Sequence, residues 1–344
     1  MMSPSAHSTP SRPPAPPAAE SLPIARLRFP SERVLLHRTK LAYVHLRNLL
    51  SDAKRDRTGR VDGFVGISMP EEFVLLFVQR GVLVNAVMET SAGAFAVPIA
   101  DAVARVPHEP EFGEILFHAT APAQLACMFR SAIVTPDEQL PGIDPGDARA
   151  LLPALRDSRF TGFVEVRLAD SANWLLWRDG LIDGMLLADQ ELMTRPRLEQ
   201  VAHLFNHSRP RHVRRWTGNP YLPVQAAPEL VDAYRALHEA VVGHLRTLGA
   251  DDPAASMKRA RERLLDTHPV LRHFGDVTPG ARAVVSDART LSVAMAAWMT
   301  GALRDALHGD DELAVRCIAL AGRERRHLLQ AAGFTAALPW TISW

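Results

Sequence analysis

Residues 63–88 read GFVGISMPEEFVLLFVQRGVLVNAVM, and residues 162–187 read GFVEVRLADSANWLLWRDGLIDGMLL. In both, short apolar runs are separated first by a polar turn and then by a charged residue followed by glycine, Arg80-Gly81 and Asp179-Gly180. Apolar runs of roughly four to eight residues bounded by turn residues predict strands rather than helices. Glycine reaches positive φ without steric cost, and Asp-Gly is a strong two-residue hairpin signal. Trp174 and Trp177 belong to the run before the second hairpin and are expected to pack in the core and across strands. The two segments align without a gap: Gly63, Phe64 and Val65 fall on Gly162, Phe163 and Val164, Ile67 on Val166, Leu76 on Leu175, and Gly81 on Gly180. Amphipathic stretches precede and follow each segment, and each set ends on a further strand-like run, GEILFHATAP and RHVRRWTGNP. Residues 37–122 and 138–222 therefore read as two copies of one unit, each a helix, three strands, a helix and a closing strand.

From Pro228 the period lengthens to three and four. Leu230, Tyr234, Leu237, Val241, Leu245 and Leu248 form one helical face, stopped at Gly249. A second helix opens at Pro253 and ends before Pro269. In a third, Ser286 or Asp287 is the expected cap, with Leu291, Met295, Trp298 and Ala302 facing inward. A fourth runs from the acidic start at Asp310 to Gly333, with bases near its end as the helix dipole favours. The closing FTAALPWTISW is unusually apolar; Phe334 and Trp340 are expected against the bundle, the alternative being an exposed docking segment through Trp340 and Trp344. The fold class is thus α+β: two tandem small sheet-plus-helix repeats (31–125 and 126–225), then an all-α bundle (226–344), after a Pro/Ala/Ser-rich tail (1–30) expected to be disordered.

Composition narrows this picture more than it adds to it. Of 344 residues, 47% are hydrophobic and 22% charged, with a net charge of +1, so no global field draws the chain to nucleic acid or an anionic membrane. Only Lys40, Lys54 and Lys258 are lysine, so arginine carries nearly all the positive charge and any single arginine has little functional weight. Cys127 and Cys317 are far apart, which speaks against a disulfide framework and for two buried thiols in a reducing compartment. No apolar run reaches the ~18 residues of a membrane span, and the first residues have no apolar core of a secretory signal. A cytoplasmic bacterial protein fits.

The candidate chemistry is sparse. Glu199, His203 and His207 share a helix face at i, i+4 and i+8, but without the glutamate of a zinc-protease motif they read as a solvated face. Ser51 and Lys54 have the Ser-x-x-Lys spacing, yet the second copy puts Pro153 and Arg156 there, so no nucleophile is expected. His268 and His273 sit beside acids without a recognisable pattern. Neither a cofactor nor a metal is expected. The remaining feature is HSRPRHVRRW (207–216), where Arg211, Arg214 and Arg215 surround Trp216; it reads either as an edge strand protected by charge or as a contact surface.

The TGFVEVRL strand, the hairpin around Asp179-Gly180-Leu181-Ile182 and the following helix resemble the PATAN-type domain of bacterial signalling proteins. Thr161, Gly162, Val164 and Val166 match its first strand; the first copy matches through Gly63, Val65, Ile67, Arg80-Gly81 and Ala86, with Asp62 in place of the threonine. The resemblance implies a non-catalytic module acting through protein contacts, and hence a signalling scaffold. Its partner-binding residues are expected among Arg211, Arg214, Arg215, Trp216 and Trp340. The alternative is a nucleic-acid-binding regulator using the same 207–216 segment, which the near-zero net charge disfavours.

Overall fold

The computed structural model describes residues 23–55, 60–107, 110–141, 145–168, 170–205, 212–274 and 286–344. The chain forms β1 (Arg33–Lys40), α1 (Leu46–Arg55), β2 (Gly63–Ser68), β3 (Phe73–Gln79), β4 (Val82–Thr90), β5 (Gly93–Ala96), α2 (Ile99–Ala104) and β6 (Glu114–Ala119). After α3 (Pro122–Ile133) come β7 (Glu138–Pro141), α4 (Pro145–Asp157), β8 (Gly162–Leu168), β9 (Ser171–Arg178), β10 (Leu181–Leu186), α5 (Gln190–Met193), α6 (Arg197–Phe205) and β11 (His212–Thr217). The rest is helical: α7 (Pro228–Thr247), α8 (Pro253–Leu264), α9 (Ala288–Ala306), α10 (Asp311–Gly322), α11 (Arg326–Ala331) and α12 (Phe334–Ala337). The fold is α+β, with two antiparallel sheets followed by helices.

One sheet has the order β1-β6-β2-β3-β4-β5 and the other β10-β9-β8-β11-β7. Read from the closing strand, β6-β2-β3-β4 and β11-β8-β9-β10 have the same order and the same antiparallel sense. The hairpins match in detail. Arg80 and Gly81 have φ of 51° and 75°, Asp179 and Gly180 49° and 79°, so both turns take positive φ at both central residues, the twist that suits a two-residue hairpin. A Cβ on Gly81 would collide with the carbonyl of Ala53, and one on Gly180 with that of Arg156, because each turn rests on the end of the preceding helix. Asp62 and Thr161 are equivalent in bonding as well as in alignment: Arg80 N donates to Asp62 Oδ1 at 2.7 Å, and Asp179 N to Thr161 Oγ1 at 3.0 Å.

Each sheet is covered on both faces, which is why β3 reads as an unbroken apolar run rather than an alternating one. Val74, Leu76 and Val78 face the α1 and α2 side, whereas Phe73, Leu75 and Phe77 face the second sheet. The inner faces share one core: Phe64 and Phe77 from the first sheet, Phe163, Trp174 and Trp216 from the second, and Leu125, Cys127 and Phe129 of α3. The outer face of the second sheet is closed through Leu155, Leu192, Leu204 and Phe205. Burial at the shared core pushes the Cys127 thiol far up.

Residues 23–30, expected within the disordered tail, belong to this core. Ile24 and Leu27 are buried, Phe29 stacks on Trp174 with ring centroids 6.1 Å apart, and the Glu89 carboxylate accepts from Ile24 N and Ala25 N. The helical part follows its reading with two exceptions, one of them Leu248, expected on the inward face of α7 but 49% exposed just past the helix end. Asp252, Asp287 and Asp310 cap α8, α9 and α10 by accepting from Ala255 N, Thr290 N and Leu313 N at 2.9–3.0 Å. Leu291, Met295, Trp298 and Ala302 are buried as expected, but the fourth helix breaks at Gly322, where a short turn (Arg323–Arg325) separates α10 from α11. The ring of Trp344 lies where a Gly322 Cβ would be, so the chain end occupies the break. Among the described residues, no helix is long and apolar enough to cross a membrane.

Candidate functional site

The Arg/Trp strand β11 lies between β8 and β7, so the reading as a charge-protected edge is corrected: it is an interior strand. Alternation along β11 sends Val213 and Arg215 to the outer face and Arg214 and Trp216 toward the core shared by the two sheets. Trp216 has no exposed surface. Its ring stacks on Phe163 at 4.9 Å and 10°, and Nε1 donates to Val134 O at 2.9 Å. Trp174, also fully enclosed, donates from Nε1 to Ser131 Oγ at 3.0 Å. Two indoles of the second sheet thus fasten the segment at and just beyond the end of α3, and Trp216 cannot meet a partner without unfolding.

Arg214 is likewise spent inside. Both Nε and Nη2 lie 2.5 Å from Glu165 Oε2, and the guanidinium lies over the Trp216 ring at 5.0 Å. Arg167 Nε is 3.2 Å from Glu165 Oε1, so one buried carboxylate is flanked by two arginines within the sheet. Burial draws Arg214 below its ordinary pKa and Glu165 opposes that shift. Arg215 is the accessible member: one-third exposed, 3.1 Å from Glu138 and over the Phe160 ring. Arg211 lies outside the described residues. Trp340 is half-buried against the bundle beneath the Arg304 guanidinium at 5.4 Å, as the packing reading expects rather than the docking alternative. The five residues therefore do not form one surface.

Of the helix-face trio, Glu199 is exposed and His203 half-buried, while His207 lies outside the described residues; among those described, no three potential ligands come together. Accessible apolar side chains stand elsewhere. Tyr43 (78% exposed) follows β1, and Phe112 (70%) precedes β6; the two loops are joined by Leu41 N donating to Gly113 O. A cleft of about 400 Å³ between α1 and α2 opens beside them, lined by Leu41, Val44, Leu46, Val103 and Val106. On the second unit, Met193 (52%) and Leu198 (85%) project from α5 and α6.

A further polar constellation lies where the chain leaves the second sheet and returns to the first. Gln225 N donates to Val84 O at 2.8 Å, its side-chain amide donates to Asn85 Oδ1 and Val97 O, and its Oε1 accepts from Ile99 N. Asn85 Nδ2 in turn donates to Pro223 O at 3.0 Å. These bonds moor the segment that enters the helical part to the first sheet, although the second sheet precedes it in the chain. Neither glutamine nor asparagine carries a periodic signal, and sequence reasoning missed both. No protein-family model, curated protein or solved structure matches this chain.

Proposed function

We propose that the chain is a non-catalytic signalling scaffold of the bacterial cytoplasm, built from two copies of a PATAN-like module and acting through protein contacts. The observation that carries this reading is the pair of matching hairpins: equal strand order, positive φ at both turn residues, and the same hydrogen bond from Asp62 and Thr161. Duplication with retained turn chemistry fits a module reused for its shape. The shared core holds the two copies at a fixed geometry, so contacts of modest individual strength act together on one larger partner. The contact residues we assign are Tyr43 and Phe112 on the first copy and Met193 and Leu198 on the second, in place of the β11 residues.

The test is affinity purification of the tagged full-length protein from its host, with bound protein and nucleic acid both quantified. Specific protein partners that weaken with Tyr43→Ser or Leu198→Ser, and are lost when both are changed, support the scaffold. Enriched nucleic acid without a stable protein partner would replace it with the nucleic-acid reading.

A further inference from the structure

The helical part contains a basic cleft with an aromatic base that the scaffold reading does not use. It lies between α7 and α8, measures about 530 Å³, and is floored by Trp298 of α9. Small-molecule sites occupy roughly 300–1,000 Å³, so the cleft is large enough for a ligand of mononucleotide size.

Its cations outnumber its carboxylates. Arg246 from α7 and Lys258 from α8 are exposed and, among the described residues, carry no ion pair. Arg261, one helical turn beyond Lys258, is half-buried; its Nη1 donates to Phe274 O, which fixes the guanidinium, while its buried Nε has no acceptor among the described residues. Two carboxylates line the same cleft. Asp252, which also accepts from Ala255 N as the α8 cap, and Glu239 stand against three cations, so the lining keeps an excess of positive charge. Such an arrangement favours an anion with several acceptor oxygens, because arginine presents its donors as a planar fork and lysine adds a point charge.

The cleft also has a ring platform. The His238 imidazole stacks on Trp298 with centroids 5.0 Å apart and planes 25° apart. Trp298 Nε1 donates to Met257 O at 2.8 Å, so the indole is locked and the imidazole inherits its plane. Burial, opposed by the Glu239 charge and helped by that of Arg261, shifts His238 toward its neutral form, in which it stacks without adding to the positive field. We propose that this cleft binds a planar organic phosphate of mononucleotide size, its phosphate between Arg246, Lys258 and Arg261 and its ring against His238. This assignment is independent of the scaffold reading.

Calorimetric titration of the full-length protein with AMP, GMP, CMP and UMP tests it, with adenosine and inorganic phosphate as separate arms. At least one of the four is expected to bind at least tenfold more tightly than inorganic phosphate, with adenosine undetected at the same concentrations. Arg246→Gln combined with Lys258→Gln should weaken that binding at least tenfold without moving the thermal midpoint, since both side chains are exposed. His238→Ala should weaken the nucleotide but leave inorganic phosphate unchanged. No heat with any of the four nucleotides, equal affinity for inorganic phosphate, or an unaltered constant in the double variant would each overturn the proposal. Binding of a single-stranded oligonucleotide without binding of any mononucleotide would overturn it as well, in favour of a nucleic-acid surface.

Discussion

Trp216 and Arg215 are neighbours in sequence and opposites in consequence, because strand alternation puts one in the core and the other at a half-open rim. Trp216→Ala removes a fully enclosed indole, its stack on Phe163 and its bond to Val134 O; a loss of about 3–5 kcal/mol in chemical denaturation is expected. Arg215→Ala gives up a partly screened pair with Glu138 and should cost under about 1 kcal/mol. Glu165→Gln is expected to be as damaging as the tryptophan change, about 3–5 kcal/mol, since it leaves Arg214 and Arg167 buried beside a neutral amide. Replacing all three by apolar residues should recover most of that loss, and a urea titration of the two variants distinguishes the outcomes. The alternation of β11 was legible in RHVRRW, and so was the division of its arginines between two faces. Which face met the core shared with the first sheet was not, because Phe163 and Glu165 lie about fifty residues upstream, and the carbonyl of Val134 lies 82 residues away.

Two histidines extend the residue scale to pH. His118 and His238 are held below the ordinary value of 6.5, first by burial and then by neighbouring positive charge: His37 and Arg38 lower His118, while Arg261 lowers His238 against the opposing charge of Glu239. Each therefore binds a proton more readily when the chain is unfolded. Their contribution to stability is complete above pH ~6.5 and is lost as pH falls toward the depressed folded values. Denaturation midpoints are expected to fall between pH 7.5 and 5.5, and His238→Gln to flatten part of that slope. A slope unchanged by the substitution would show that carboxylates alone carry it.

Among the elements, the hairpins were the most legible feature of the sequence. A charged residue and glycine between two apolar runs demanded a two-residue turn, and the helix ends that crowd these glycines add a second reason for glycine that no pattern states. Gly81→Ala and Gly180→Ala combine positive φ with a collision against a helix carbonyl, and each should cost well over ~1 kcal/mol. Gly249→Ala at φ 79° meets open space and should cost only about 1 kcal/mol; comparing the three thermal midpoints checks the order. Asp62 shows where a residue pattern is poorer than the chemistry beneath it. A motif written with threonine marks it as a departure, although its carboxylate accepts the same turn amide. The strands missing from the reading were β1, β5 and β7. Two are only four residues long, and β1 mixes Arg33, His37, Arg38 and Lys40 among its apolar positions as an edge strand does. The helix break at Gly322 was also missed, since its occupant is the final residue of the chain.

At the scale of the whole molecule, one glutamine holds the helical part to the first sheet. Gln225→Ala deletes the side-chain bonds to Asn85, Val97 and Ile99 and leaves buried groups without partners, at about 1–3 kcal/mol. Amide exchange should rise around Ile99 and along the first turn of α7 while the second sheet stays protected; uniform deprotection would mean that the mooring is not local. The sequence by itself determined the α+β class, the hairpin turns, the Asp287 cap and, Leu248 apart, the inward faces of α7 and α9. Those depend on residues within a few positions of one another, where period and turn chemistry act. The tertiary structure alone decided that both sheets close on α3, that residues 23–30 complete that core, and that the Arg/Trp strand is interior. Each of these depends on partners tens of residues apart, and a local pattern of apolar and polar positions records that a face must be covered without recording what covers it.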